Sequence, residues 1–252
     1  MLNLVSVNLL AEKPYRKYGE VVLVDFAIRS DKFYSQIIKL MPDVILLQEV
    51  DLFWQEYINL NIVKLGYSIQ FGDCWSSGLA ILWKDSSMKK NNTQPINYDK
   101  AGVLKLELIQ NESNEVISFL NLHAPWARAK EFDNIYSSFI SANGPLIIAG
   151  DLNTDNPKEN NNFKYFFSEL FNSEKGYAEI TESVQFTARN VKYNNPEKLD
   201  YIIGLNVSGN ETRIYPDELT LLLPHCLGGE YNSDNENNHF SDHALVFSTI
   251  SF

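Results

Sequence analysis

Basic charge is scarce in this sequence. Its 21 Lys and Arg face 32 Asp and Glu, a net charge of −11. A protein that grips a long nucleic-acid backbone usually presents a basic face. Any such face here is local, and a short substrate is favoured over a long duplex. Cysteine is nearly absent. Cys74 and Cys226 stand far apart and match no metal-ligand spacing, so they read as ordinary thiols in a reducing compartment. No apolar run approaches the length of a membrane span. The opening MLNLVSV has neither the basic start nor the apolar stretch of an export leader, and the expectation is a cytoplasmic protein. Repeats and long linkers are missing too. What is present is 252 residues, 44% hydrophobic, enough for one sizeable core. A single domain over residues 1–252, acting as a monomer, is expected.

Periodicity then places the elements. Leu2–Val7 reads as a buried strand ending at Asn8. Ser30–Met41 carries Phe33, Tyr34, Ile37, Ile38 and Met41 at helical spacing, with Ser30 or Asp31 as cap and Pro42 as stop. Asp43–Leu47 is a short apolar strand leading into Gln48 and Glu49, and Leu52–Leu65 a helix closed by Gly66. Tyr67–Phe71 and Leu79–Trp83 read as strands. Val103–Ile109 and Val116–Leu122, around Asn111–Asn114, give a hairpin signal. Lys130–Ile140 and Phe163–Phe171 are helical, and Leu146–Ala149, Leu199–Ile203, Leu219–Leu223 and Ala244–Ile250 are strands. Striped helices need a sheet to cover, and all-apolar strands need cover on both faces. The expected fold is therefore α/β: a two-sheet β-sandwich of mixed and antiparallel strands flanked by helices, in four layers.

The chemistry gathers at strand ends. Asn8 follows LVSV, Glu49 follows VILLQ, His123 follows FLNL, and Asp151 and Asn153 follow LIIAG. Asp200 opens the strand DYII, and Asp242-His243 precede ALVF. One polar strand end is ordinarily a solvated residue, but six with this inventory point to a site. Carboxylates bind hard cations, carboxamides orient phosphate oxygens, and histidines move protons.

These residues carry a resemblance. Asn8, Gln48-Glu49, Gly150-Asp151-Leu152-Asn153, Leu199-Asp200-Tyr201-Ile202 and Ser241-Asp242-His243 occur in the order and approximate spacing of the endonuclease/exonuclease/phosphatase superfamily. Pancreatic deoxyribonuclease, abasic-site endonucleases, neutral sphingomyelinases and inositol-polyphosphate phosphatases belong to it. The stretches VNLLAEKPYRKYGE, DVILLQEVD and FT…LDYI, with LPH and SDH downstream, are most similar to its deadenylase and nocturnin branch. The sequence departs from many relatives at Val7, where they have Trp or Tyr, and at Asn121, where they have Thr.

The resemblance implies hydrolysis of a phosphoester by water with Mg²⁺ or Mn²⁺, and it implies roles. Glu49 and Asp242 are metal ligands, and Asn8 adds a neutral oxygen or holds a metal-bound water. Asp151 orients and deprotonates the attacking water, while Asn153 donates its amide to a phosphate oxygen. His243 works on the phosphate or the water, with Asp200 fixing its tautomer. His123 stands where deoxyribonuclease-like members have histidine and abasic-site enzymes have tyrosine, and it steadies charge on the phosphate. Arg128 is a candidate phosphate contact, and Trp75 and Trp126 are candidates for stacking bases. The implied partner is a phosphoester, foremost single-stranded RNA or DNA. The alternatives are a small-molecule or lipid phosphate, and a catalytically silent scaffold, against which the complete residue set argues.

Overall fold

The structure, a computed structural model, describes residues 1–11, 26–74, 77–125, 128–138, 144–154, 163, 165–166, 170, 177–185, 187–190, 195–215, 241 and 243–252. In chain order the elements begin with β1 (Leu2–Asn8), α1 (Phe26–Leu40), β2 (Val44–Gln48) and α2 (Leu52–Tyr57). They continue with β3 (Tyr67–Asp73), β4 (Gly78–Lys84), β5 (Met88–Lys90), β6 (Ile96–Tyr98), β7 (Val103–Gln110) and β8 (Val116–His123). After α3 (Ala129–Ser138) come β9 (Leu146–Asp151), β10 (Tyr177–Glu179), β11 (Ala188–Asn190), β12 (Asn195–Glu197), β13 (Asp200–Leu205), β14 (Ser208–Tyr215) and β15 (Leu245–Ser251).

Side-chain alternation sorts the strands into layers. In β1, Leu2 and Leu4 join the cluster between the sheets, where Leu46, Ile81, Leu106, Phe119, Ile147 and Ile202 also meet. Val5 and Val7 point the other way, onto Phe33 and Ile37 of α1 and Trp54 of α2. In the second sheet Leu120, Leu122, Ile148 and Ile203 turn outward onto Phe132 and Tyr136 of α3 and onto Phe163, Phe166 and Leu170. The result is helix, sheet, sheet, helix, as the all-apolar strands required.

One sheet runs β14-β15-β1-β2-β4-β3 and the other β10-β13-β9-β8-β7-β5, with β6 also on β7; β11 and β12 form a separate ribbon. Each large sheet holds a single parallel pair among the described strands, β1 with β2 and β8 with β9. Parallel neighbours need a crossover, usually helical, and α1 and α3 lie in these two connections. Parallel pairing also puts two carboxyl ends side by side. Asn8 is opposite Gln48, and His123 is opposite Asp151. Asp200 then enters antiparallel, also opposite Asp151. Strand registers alone therefore bring Asn8 to the end of one parallel pair, and His123, Asp151 and Asp200 to the end of the other.

Several boundaries differ from the sequence reading. The helix expected from Ser30 already includes Phe26, and Pro42 ends it as expected. The helix expected over 52–65 is three pieces. Asp51 caps α2 through Phe53 N and Trp54 N, a π segment covers Ile58–Ile62, and a 3₁₀ turn covers Val63–Leu65 before Gly66 at φ 87°. The wider π turn buries both Ile58 and Ile62. The polar strand β14 has no counterpart in the reading. The expected strand Leu219–Leu223 and most of the helix 163–171 lie outside the described residues. Among the described residues no helix is long and apolar enough to cross a membrane.

Gly150 is where the close approach of β8 and β9 demands glycine. Its φ is 142°, and a Cβ there would meet Leu122 O at 1.9 Å. Gly150→Ala is expected to cost on the order of 3 kcal/mol, from backbone strain and the forced separation of the strands. Thermal unfolding checks this, and an unchanged midpoint would contradict the register.

Candidate active site

Inward-facing positions at the strand ends hold polar groups where the core would otherwise continue. One turn behind the edge, Gln48 Nε2 donates to Asn121 Oδ1 at 2.7 Å, and Asn121 Nδ2 donates to Leu47 O and Ala80 O at 2.8 and 2.9 Å. This buried bridge ties β2 to β8 across the sandwich and fixes the gap between their ends. At the edge itself Asn8 Nδ2 spans the two sheets, donating to Glu49 Oε1 and to Asp151 Oδ2, both at 3.0 Å. Its oxygen accepts Leu10 N at 3.0 Å.

Glu49 reaches this position through its backbone. Strand alternation would send it to the helix side, but at φ 55° the chain turns it back to the edge. Its Oε2 accepts Ala11 N at 3.0 Å. Leu10, at φ 60°, completes the turn that presents this amide. Arg29 secures it. This fully buried guanidinium donates to Leu9 O at 2.6 Å and to Leu10 O, and it lies 5.6 Å from the Trp54 ring centre. Arg29→Met is expected to lower stability by about 3 kcal/mol, because two buried carbonyls lose a charged donor. Hydrogen exchange at the Ala11 amide should speed up with it. A urea midpoint and an Ala11 exchange rate at wild-type values would contradict the clamp.

Asp151 sits at the centre and is buried. Its Oδ1 accepts Asn153 N at 2.7 Å. Its Oδ2 lies 3.6 Å from His243 Nε2 and 3.7 Å from His123 Nε2. The other nitrogen of His243 is bonded to Asp200 Oδ2 at 2.8 Å. Asp200 is sealed from solvent, and Thr187 Oγ1 accepts both Leu199 N and Asp200 N at 2.9 Å. Ser241 donates to Asn8 O at 2.6 Å and accepts His243 N at 3.2 Å, so the last strand is tied to the first. His123 Nε2 is also 3.8 Å from Glu49 Oε1, and its Nδ1 is 3.8 Å from Cys74 Sγ.

Electrostatics follow from this packing. Burial works against a charged His123, but the Cys74 sulfur, Asp151 and Glu49 outweigh it and raise its pKa to about 9. Burial and then the charge of Asp200 push Asp151 above the usual carboxylate range, against the pull of His243, His123 and Asn8. For the metal-free protein the His123 sign is clear. The folded value exceeds the ordinary 6.5, so its stabilisation is complete below about pH 6.5 and fades as pH rises to about 9. His123→Gln should flatten that part of a denaturation-versus-pH curve. An identical slope in wild type and variant would contradict it.

Not every expected residue stands as the sequence reading had it. Extended alternation stops at Asp151. Asn153 has φ 52°, and its Nδ2 donates to Ala124 O at 2.7 Å. Its amide is therefore aimed by this turn and not by strand alternation, and its second amide hydrogen is left for a ligand. Arg128 is exposed, paired with Glu131 Oε2 at 2.7 Å and 5.6 Å from the Phe132 ring centre. Asp242, Trp75 and Trp126 lie outside the described residues. The sequence reading missed Arg29 and Thr187, which have no local signature. Asn121 was noted only as a departure, though a polar residue at an inward position of an apolar strand was the available signal.

The donors suit a hard cation. Among the described residues no three His, Cys, Asp or Glu side chains form a metal cluster. Glu49, its side chain 16% exposed, is the accessible carboxylate. One or two carboxylates with a largely retained water shell is how Mg²⁺ is ordinarily held, and Glu49 fits that use.

A family model described as the endonuclease/exonuclease/phosphatase family matches residues 23–243. No curated protein matches by sequence. Among solved structures, the human nocturnin catalytic domain with bound sulfate is 20% identical, with TM-score 0.67 over 100% of this chain and 94% of that one. D. rerio TDP2 complexed with single-strand DNA product is 16% identical, with TM-score 0.69 over 100% and 99%. A Bacteroides thetaiotaomicron mannosyl-6-phosphatase is 15% identical, with TM-score 0.71 over 100% of both chains. At such identities these likenesses concern the fold.

Proposed function

Because the chain belongs to the endonuclease/exonuclease/phosphatase family, whose members are hydrolases of phosphoester bonds, we propose that it is a divalent-metal-dependent phosphodiesterase acting as a monomer on short single-stranded nucleic acid, RNA foremost. The observation that carries the reading is Asp151 Oδ2 lying within 3.6–3.7 Å of both imidazoles.

Asp151 is the base. Its raised proton affinity suits it to take a proton from the attacking water near neutral pH. Asn153 N occupies Oδ1 at 2.7 Å, and Oδ2, which accepts Asn8 Nδ2 at 3.0 Å, keeps a second lone pair for the water. Asp200 holds His243 by Nδ1 at 2.8 Å, so Nε2 is presented to the phosphate and fixed in tautomer. His123, its proton affinity raised, brings positive charge to the same pocket, and the second amide hydrogen of Asn153 meets a non-bridging oxygen. Family enzymes generally use divalent ions; Mg²⁺ or Mn²⁺ held by Glu49, with Asn8 and Asp242 as the further ligands that the resemblance implies, would neutralise charge on the phosphate and the leaving oxygen.

The substrate class is supported by the net charge of −11, unsuited to long duplexes, and by the likeness to a TDP2 solved with single-strand DNA product. The mannosyl-6-phosphatase likeness supports a second reading, a phosphatase of small esters. A panel at saturating Mg²⁺ separates them: single-stranded RNA, single- and double-stranded DNA, bis-p-nitrophenyl phosphate and p-nitrophenyl phosphate. Single-stranded RNA is expected to turn over fastest. Hydrolysis of the monoester alone would replace the nuclease reading with the second one.

A further inference from the structure

The two site histidines are built on one plan. Each turns Nε2 toward Asp151 Oδ2 and commits Nδ1 to an orienting group. For His243 that group is the carboxylate of Asp200, at 2.8 Å. For His123 it is a thiol, Cys74 Sγ, at 3.8 Å, a normal length for a sulfur contact.

The surroundings of this thiol are shaped to hold it there. Cys74 follows the last residue of β3, partly buried and packed against the core between the sheets. Opposite it is Gly102, with φ 64° and an oxygen that accepts His123 N at 2.8 Å. A Cβ on Gly102 would stand 2.0 Å from His123 O and 3.3 Å from Cys74 Sγ. Glycine is thus needed for β8 to approach, and its bare face leaves room for the sulfur beside the imidazole.

We infer that Cys74 is the positioning residue of His123, a thiol that fixes the ring so that Nε2 faces Asp151 and Glu49. Whether the sulfur accepts from Nδ1–H or donates to a bare Nδ1, the ring cannot turn over without losing the contact. A partner behind a metal-bound imidazole typically changes activity 10- to 100-fold when removed, and the same orienting effect applies to a ring held for proton or charge work. A sulfur contact at 3.8 Å belongs at the lower end of that range. The inference rests on the catalytic reading for its kinetic consequence but not for its structural one.

The test pairs kinetics with ring ¹⁵N NMR on Cys74→Ala and Cys74→Ser in the full chain. In Cys74→Ala the Nδ1 resonance of His123 should move while that of His243 stays in place. Under the best conditions of the substrate panel, kcat should fall about tenfold with KM little changed. Serine keeps a hydroxyl near the sulfur's position and should restore kcat to within about threefold. A Cys74→Ala protein with His123 ring resonances and kcat at wild-type values would overturn the inference. So would a kcat loss that serine fails to rescue although the variant unfolds at the wild-type temperature. If no substrate is turned over, the phosphodiesterase reading fails, and the NMR comparison alone still decides the role of Cys74.

Discussion

Asp151→Asn should lower kcat by on the order of a thousandfold, within the span of a lost general base, while leaving the fold intact. The side chain keeps its size, and either orientation of the new amide can still receive Asn153 N or meet Asn8, not both as now. What disappears is the proton acceptor that faces His123 and His243. The variant should be at least as stable as wild type. Burial already disfavours charge on Asp151 and raises its pKa, so at neutral pH the ionised form costs folding free energy that asparagine does not. Loss of activity with an equal or higher melting temperature is a signature that a merely structural aspartate would not give. Retention of more than about a tenth of wild-type kcat would remove Asp151 from the base role.

Asp200→Asn should be the second largest effect, a loss of about 100- to 1000-fold in kcat. The backbone at Asp200 is held independently by Thr187 Oγ1 and by pairing with Asp151, so the strand stays in place. Its charge is the orienting partner of His243, and an amide at 2.8 Å can equally stabilise the wrong tautomer. His243→Ala should cost a similar factor. Because the two act as one unit, the double variant should be no slower than the slower single. Multiplying effects would show that each residue works separately.

The stations of the site were legible in the sequence because they coincide with the ends of apolar strands, a pattern visible without any knowledge of pairing. The reason they meet was not. Periodicity says which residues share a face and nothing about which strand lies alongside, so the two parallel pairs that align Asn8 with Gln48 and His123 with Asp151 are tertiary facts. Polar edge strands escaped for a related reason. Among the described residues Ser208–Tyr215 pairs only with β15, so it needs no apolar alternation to be stable. Where the Asn153 amide points was not legible, because the chain has left the strand there, at φ 52°. Cys74 read as an ordinary thiol, since its contact with His123 joins residues 49 positions apart. Arg29 lies on a helix face and acts through backbone carbonyls, which leave no trace in composition.

The proposed reaction has water, activated at Asp151, attacking phosphorus at the paired strand ends. Cleavage of a single-stranded RNA in H₂¹⁸O under single-turnover conditions tests it most directly. Wild type should leave one ¹⁸O in each newly formed phosphate terminus, and Asp151→Asn should lower the rate by about a thousandfold. An unlabelled phosphate, as attack by the substrate's own 2′-hydroxyl would leave, or a wild-type rate in the variant, would contradict it.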